Sequence, residues 1–231
     1  IDNSKSLVLN LNVNDETIFT IQQIKNTLPV DSYGLIVKDT NRLPEILDFA
    51  KKEDVSVYIS SLLPEDYLEK EDHIGDMDIV LSNWQDQRYS NRISFDGLLD
   101  HNGNKRQIAG KIKNAWSESP DKIEDISVKI LKPSELLYPG QTTRYSAVLN
   151  SNDEWLVGSK AGKNFNFEWN LVKLDDYGNP MAIKKLGSGP EIKVKIPENY
   201  KNYELLLITQ NNDSGYSIST RSSLHTPIEN K

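Results

Sequence analysis

The chain has 231 residues, 37% of them hydrophobic, which suffices for one large domain or two modest ones with real cores and argues against a disordered segment. Lys plus Arg number 27 against 34 Asp plus Glu, a net charge of −7, so no basic footprint exists to hold nucleic-acid phosphates. Zero cysteines exclude disulfides, zinc-thiolate sites, iron-sulfur clusters and thiol nucleophiles, and His73, His101 and His225 do not pair at ligand spacing, so neither a metal nor a cofactor is expected.

Read from the N-terminus, Leu7 to Val13 is a strand, and Glu16 to Leu28 is a helix with Ile18, Ile21, Ile24 and Leu28 on one face. Gly34 to Val37 is the next strand. A second helix follows, with Asn41 as its cap, Pro44 in its first turn, and Leu43, Ile46, Leu47 and Ala50 at helical spacing. Val55 to Ile59 makes a third strand, the acidic stretch Pro64 to Asp78 holds a short helix, and Asp78 to Ser82 makes a fourth strand. Lys105 to Trp116 reads as a last helix, with Ile108, Ile112 and Trp116 at four-residue intervals. Such β-α repeats imply parallel strands joined by right-handed crossovers.

The character of the chain changes near residue 118. Residues 1–119 carry 13 basic and 20 acidic side chains, and residues 120–231 carry 14 of each. Ser117-Glu118-Ser119-Pro120-Asp121 has the composition of a short linker. Beyond it, period-two strands are expected at 126–130, 143–149, 165–172, 192–196, 203–208 and 216–220, with turns at Tyr138-Pro139-Gly140 and Asp175 to Pro180. Strands at this density imply an antiparallel sandwich of immunoglobulin type, with Trp169 as its core tryptophan. The expectation is therefore an α/β domain over 1–118 and an all-β immunoglobulin-like sandwich over 119–231.

The segments Asp78-Ile79-Val80-Leu81-Ser82-Asn83-Trp84-Gln85-Asp86, Phe95-Asp96-Gly97-Leu98-Leu99-Asp100-His101-Asn102-Gly103-Asn104-Lys105-Arg106 and Ile112-Lys113-Asn114-Ala115-Trp116 resemble one known pattern. It is the end of a retaining glycoside hydrolase barrel of the β-galactosidase and β-glucuronidase superfamily, in which an immunoglobulin-like domain often accompanies the barrel. The resemblance covers roughly 40 residues closely and the rest by element order. It implies that the four strands match the second half of an eight-stranded (TIM) barrel, with the strand ending at Ser60 in the seventh place, where the family carries its glutamate nucleophile. Retaining hydrolysis needs two carboxylates about 5 Å apart. Here Val57-Tyr58-Ile59-Ser60-Ser61-Leu62-Leu63 reaches no carboxylate before Glu65, and a strand matching the fourth, which carries the general acid, is missing. A whole barrel takes ~250 residues, so this region holds half of one at most. Half a barrel leaves two strand edges unpaired and its inner face wet, so it is a fragment of a longer protein, a self-associating chain, or a small open parallel sheet. The Ile1 start, in place of methionine, favours an upstream segment.

Among single residues, Trp84 is the best ligand contact, its ring suited to stacking on sugar, with Asn83, Gln85 and Asp86 around it as polar contacts; the alternative is a packing tryptophan. Asp39, Asp15 and Asn14 follow strands and would lie where ligands bind in barrels and open sheets, although helix capping, which needs no function, is the preferred reading for each. Glu65 and Asp66 read as a helix start, and Asp100, Asn102 and Asn104 as an Asx turn in preference to calcium ligands. Trp155 is a sugar or protein contact, or packs at a sheet edge. Asn212-Asp213-Ser214 is a glycosylation sequon if the source is a secreted eukaryote. No residue is assigned a catalytic role.

Three functions follow. The first is a C-terminal, non-catalytic-by-itself portion of an exported, extracellular or periplasmic, glycoside-hydrolase-like protein that contributes carbohydrate contacts. The second is a non-enzymatic extracellular binding or scaffold protein, and the third a degenerate hydrolase that binds polysaccharide without cleaving it. Nucleic-acid partners and membrane insertion are not expected.

Overall fold

A computed structural model of the protein describes residues 7–28, 30–37, 40–74, 78–134, 137–151, 154–160 and 162–224. It is a mixed α/β architecture, mostly strands, in two compact units, Ile1–Trp84 and Gln85–Lys231. No helix among the described residues is long and apolar enough to cross a membrane.

The first unit alternates strands and helices: β1 (Val8–Asn12), α1 (Thr17–Lys25), β2 (Ser32–Ile36), α2 (Leu43–Lys52), β3 (Val57–Leu62), α3 (Pro64–Ile74) and β4 (Ile79–Leu81). The sheet is parallel, in the order β1-β2-β3-β4. Strands added one after another in a single direction put their connecting helices on one face when each crossover has the usual right hand. The burial pattern identifies that face. Tyr33, Leu35 and Ile59, in register with Leu9 and Leu11 of β1, are buried with Ile21 of α1 and with Leu43, Ile46 and Ala50 of α2. These last three recur at the i, i+3, i+7 spacing of one helix stripe.

The other face of the sheet is the more exposed one. Val8 and Val80 point there and are exposed, as are Asn10 and Asn12. On it the Tyr58 hydroxyl donates to Asn10 Oδ1 at 3.3 Å, across Gly34. A Cβ on Gly34 would lie 1.9 Å from Asn10 Oδ1 and 2.9 Å from the Tyr58 hydroxyl, so glycine lets these two side chains meet. Among the described residues the four strands form an open sheet and close into no barrel.

The second unit begins with an irregular segment, residues 85–106, and α4 (Gln107–Ala115). Eight strands follow: β5 (Ile126–Leu131), β6 (Thr142–Ser151), β7 (Glu154–Val157), β8 (Phe165–Leu174), β9 (Pro180–Ser188), β10 (Glu191–Lys195), β11 (Tyr203–Asn211) and β12 (Ser217–Ser223). They form two antiparallel sheets, β10-β6-β5 with β7 also on β6, and β12-β11-β8-β9. One core joins their facing sides, built from Ile126, Val128, Tyr145, Ala147 and Leu149 of the first sheet and Phe167, Trp169, Leu205 and Leu207 of the second. Trp169 is fully buried at its centre, as its sequence context predicts, and its Nε1 donates to the Gly189 carbonyl at 2.8 Å. The Tyr145 hydroxyl donates to the Leu224 carbonyl at 2.7 Å, and burial pushes its pKa up to about 12.

The outer side of β12-β11-β8-β9 is apolar as well. Val172, Leu206 and Ile208 form a second cluster there, against which Phe95 packs, and all four of Leu205 to Ile208 are buried. Such a face is stable only when covered, at roughly 25 cal/mol per Å² of apolar surface removed from water. The cover is the segment 85–106. Its Ile93 N–H donates to the Pro180 carbonyl at 2.6 Å, the Ser217 N–H donates to the Lys105 carbonyl at 2.7 Å, and Arg106 bridges to Ser217 of β12.

This arrangement places the division between units at Trp84/Gln85, whereas composition suggests 118/119. The expected linker is a hydrogen-bonded turn tied back to α4: the Asp121 N–H donates to Asn114 Oδ1 at 3.0 Å, and Lys113 Nζ pairs with Asp121 at 2.5 Å. Two strands not foreseen in the sequence are β7, four residues at a sheet edge, and β9, which begins at Pro180 and is largely solvated.

Gly97 sits where the cover folds on itself. A Cβ there would fall 2.3 Å from both the Asp86 nitrogen and the Gln85 carbonyl carbon, so backbone would have to move. Gly97→Ala is therefore expected to destabilise the protein by about 1–3 kcal/mol, measured by urea denaturation.

Candidate functional site

The residues singled out in the sequence meet different fates. Asp39 lies outside the described residues. Asn83 follows β4 with a left-handed φ of 60°, a conformation asparagine tolerates, and Trp84 after it is 70% exposed. Asn14 Oδ1 accepts the Glu16 N–H at 2.9 Å, an Asx turn ahead of α1, and Asp15 pairs with Arg42 at 3.3 Å. Glu65 and Asp66 lie in the first turn of α3. Trp155, on β7, carries the Lys129 ammonium 4.2 Å from its ring centre.

Gln85 and Asp86 belong to the second unit. Gln85 is exposed, bridges to Leu99, and donates through Nε2 to the Asp100 carbonyl at 3.3 Å. Asp86 is not placed as a sugar contact: its side chain is 1% exposed and accepts both hydrogen bonds from Arg106 Nη2, at 2.8 and 3.0 Å, and one from the Gly97 N–H at 3.1 Å. Burial pushes its carboxyl above the usual range, while Arg106 and the Gly97 N–H pull the other way. Arg106 Nη1 in turn donates to Ser219 Oγ at 2.7 Å, so this pair fastens the cover to β12. Asp86→Ala would strand a buried guanidinium, and a loss of about 3–5 kcal/mol is expected by urea denaturation; a carboxylate serving only as an exposed ligand contact would cost far less.

The turn at Asp100 forms as expected. Asp100 is fully buried, and its carboxylate accepts the Asn102 and Asn104 N–H groups at 2.9 Å each and Asn104 Nδ2 at 3.0 Å. Gly103 takes the left-handed conformation, with φ at 83°. The consequence of this turn is the placement of His101 and Asn102. Asn102 Nδ2 donates to Glu168 Oε1 at 3.0 Å, and His101 Nε2 lies 3.6 Å from the same oxygen.

Glu168 projects from the outer face of β8, where it also receives Asn170 Nδ2 at 3.1 Å and Lys185 Nζ at 2.5 Å. Burial acts to raise its pKa, but the hydrogen bonds from Lys185, Asn102 and Asn170 and the Lys185 charge prevail and hold it down at about 2. Beside it lies a cavity of about 710 Å³ lined by Asn102, Phe165, Asn166, Glu168, Lys185 and Gln210, among others. Its floor is the end of the sheet that the cover leaves open, where Asn166 stands opposite Gln210 in register. None of its β-strand residues stood out in the sequence: Asn166 and Glu168 are the polar members of an ordinary alternating strand, and Gln210 follows the apolar run of β11. The legible signal was the Asp100 turn.

Because Glu168 has a folded pKa below its unfolded one, its contribution to stability is complete above about 4.5 and is lost as pH falls towards about 2. Glu168→Gln is expected to flatten the pH dependence of unfolding free energy across that window, measured by urea denaturation at successive pH values. An equal slope in both proteins would refute the assignment.

No known family profile matches the sequence, and no curated protein matches it. A solved structure of a β-glucosidase from Listeria innocua in complex with isofagomine aligns with 91% of this chain at 8% identity and a TM-score of 0.24. The chain spans 39% of the length of that one. So slight a superposition assigns nothing to this chain.

Proposed function

We propose that the chain is a C-terminal, non-catalytic portion of an exported glycoside-hydrolase-like protein, contributing contacts to carbohydrate. The observation that carries this reading is the singly wound parallel sheet, in the order β1-β2-β3-β4, with Asn10 and Asn12 exposed on one face and Tyr58 reaching Asn10 there. An independent doubly wound sheet reverses strand order and covers both faces. A sheet wound in one direction is what half of an eight-stranded barrel has, its more exposed face being the barrel interior. In this reading the partner is a further set of β-α units that pairs with the sheet edges. The exposed Trp84, just beyond the C-terminal end of β4, occupies the rim where barrel sites form, and Asn83 accompanies it.

The reading extends to the second unit. Sheets in the order β10-β6-β5 and β12-β11-β8-β9, with a buried tryptophan on β8, support an immunoglobulin-like sandwich with an added edge strand. On the first unit Asp15 is ion-paired, and β3 ends in Ser60, Ser61 and Leu62, so we assign no catalytic carboxylate there. A second reading, a non-enzymatic extracellular binding or scaffold protein, is favoured by the location of the Glu168 cavity wholly within the second unit.

The test is a glycan-array screen of the chain followed by calorimetry on the best oligosaccharide. Trp84→Ala is expected to weaken binding by about tenfold, equivalent to ~1.4 kcal/mol, and the chain is expected to hydrolyse no aryl glycoside. Undiminished affinity in that variant would remove Trp84 from the site.

A further inference from the structure

The cavity beside Glu168 has a ligand chemistry of its own. Its volume of about 710 Å³ falls within the range of roughly 300–1,000 Å³ found for small-molecule sites. Its polar groups converge from three separate parts of the chain: Asn102 from the Asp100 turn, Asn166 and Glu168 from β8, and Gln210 from β11. Among the described residues, the side-chain oxygens of Asn102, Asn166 and Gln210 accept no hydrogen bond, while one N–H of each amide is given to Glu168, Asn212 and the Gly215 carbonyl respectively. Glu168 receives two donors on Oε1 and one on Oε2, and a carboxylate has about four acceptor positions, which leaves one open on Oε2. The cavity therefore offers fixed acceptors, with Lys163, Lys185 and the remaining amide N–H groups as donors.

Charge and geometry select among ligands. A metal cation would meet one carboxylate already held by an ammonium group, with a second ammonium group on Lys163. A phosphate or sulfate would meet Lys163 and Lys185, but Glu168 already neutralises Lys185, and the carboxylate and amide oxygens repel an anion. A ligand with several hydroxyls fits, because each hydroxyl both donates and accepts and so can use the acceptors and the donors together. We propose that this cavity is a saccharide-binding site of the second unit, in which ligand hydroxyls donate to Glu168 Oε2 and to the amide oxygens of Asn166 and Gln210 and accept from Lys163 and Lys185. The site is separate from Trp84 and does not rest on the barrel reading. Its acceptors are held in place before ligand arrives by the Asp100 turn and the Lys185 ion pair, which reduces the ordering cost of binding.

The experiment is a titration of the whole 231-residue chain with soluble gluco-, xylo- and manno-oligosaccharides, read by calorimetry and by the side-chain amide signals of Asn102, Asn166 and Gln210 in NMR. Calcium chloride and inorganic phosphate serve as controls. One of the oligosaccharides is expected to shift these three signals, and Asn166→Ala combined with Gln210→Ala to weaken its binding by about tenfold or more. Lys163→Ala, at an exposed position, gives a second variant expected to weaken binding should the first fail to fold. Trp84→Ala is expected to leave these shifts unchanged, so loss of the Trp84 site and loss of this one are told apart. Oligosaccharides that leave the three signals in place, wild-type affinity in the folded variants, or shifts produced by calcium or phosphate alone would each overturn the proposal.

Discussion

The second unit depends on hiding both faces of one sheet. Strands β8 and β11 bury Trp169 and Leu207 towards the opposing sheet and Val172, Leu206 and Ile208 on the outside, so an uncovered outer face would leave a broad apolar surface in water. The cover is irregular backbone that satisfies many of its polar groups within itself, as in the Asp86 N–H to the Leu99 carbonyl and the Arg106 N–H to the Leu98 carbonyl, and a few further bonds must tie it to the sheet. These run through the Ile93 N–H, the Lys105 carbonyl and above all the Asp86–Arg106 pair, which joins the first residues of the cover to its last and to Ser219. A salt bridge this buried is weak evidence of net stabilisation, but it is expensive to break from one side, and so it fixes the path of the segment.

The functional surface follows from where that cover ends. The Asp100 turn is the last part of it to reach across the sheet, and beyond Asn102 the face turns polar, with Asn166 and Gln210 in place of Val172 and Leu206. Glu168 stands at this border. Its hydrogen bonds to Asn102 and Lys185 close the edge of the packed region and at the same time orient a carboxylate at the wall of the cavity. Structure and binding chemistry are thus carried by the same side chain.

How much of this could be read in advance depends on whether the signal was local. The β-α order of the first unit was legible because each strand and helix declares its own period, as with Leu43, Ile46 and Ala50. Trp169 was legible because it alternates with polar neighbours in β8. The apolar run Leu205 to Ile208 does not alternate, and that was the one local hint that β11 is covered on both sides. The division of the chain was not legible at Ser117 to Asp121, since a polar, proline-containing stretch looks like a linker whether or not Asn114 and Lys113 tie it down. Asp86 was misplaced as a ligand contact because its partner, Arg106, lies twenty residues away. The cavity was missed for the same reason, its walls coming from segments far apart in sequence, and β7 and β9 because short or solvated edge strands bury too little to leave a pattern.

Native-state hydrogen exchange on the whole chain tests most directly the claim that residues 85–106 form part of the second unit's core. The amides of Asp86, Ile93, Asp100 and Arg106, all hydrogen-bonded within this unit, are predicted to exchange through the same global opening as those of β8 and β11. Fast exchange at these four positions, with β8 and β11 still protected, would mean that the cover lifts independently and would contradict the account.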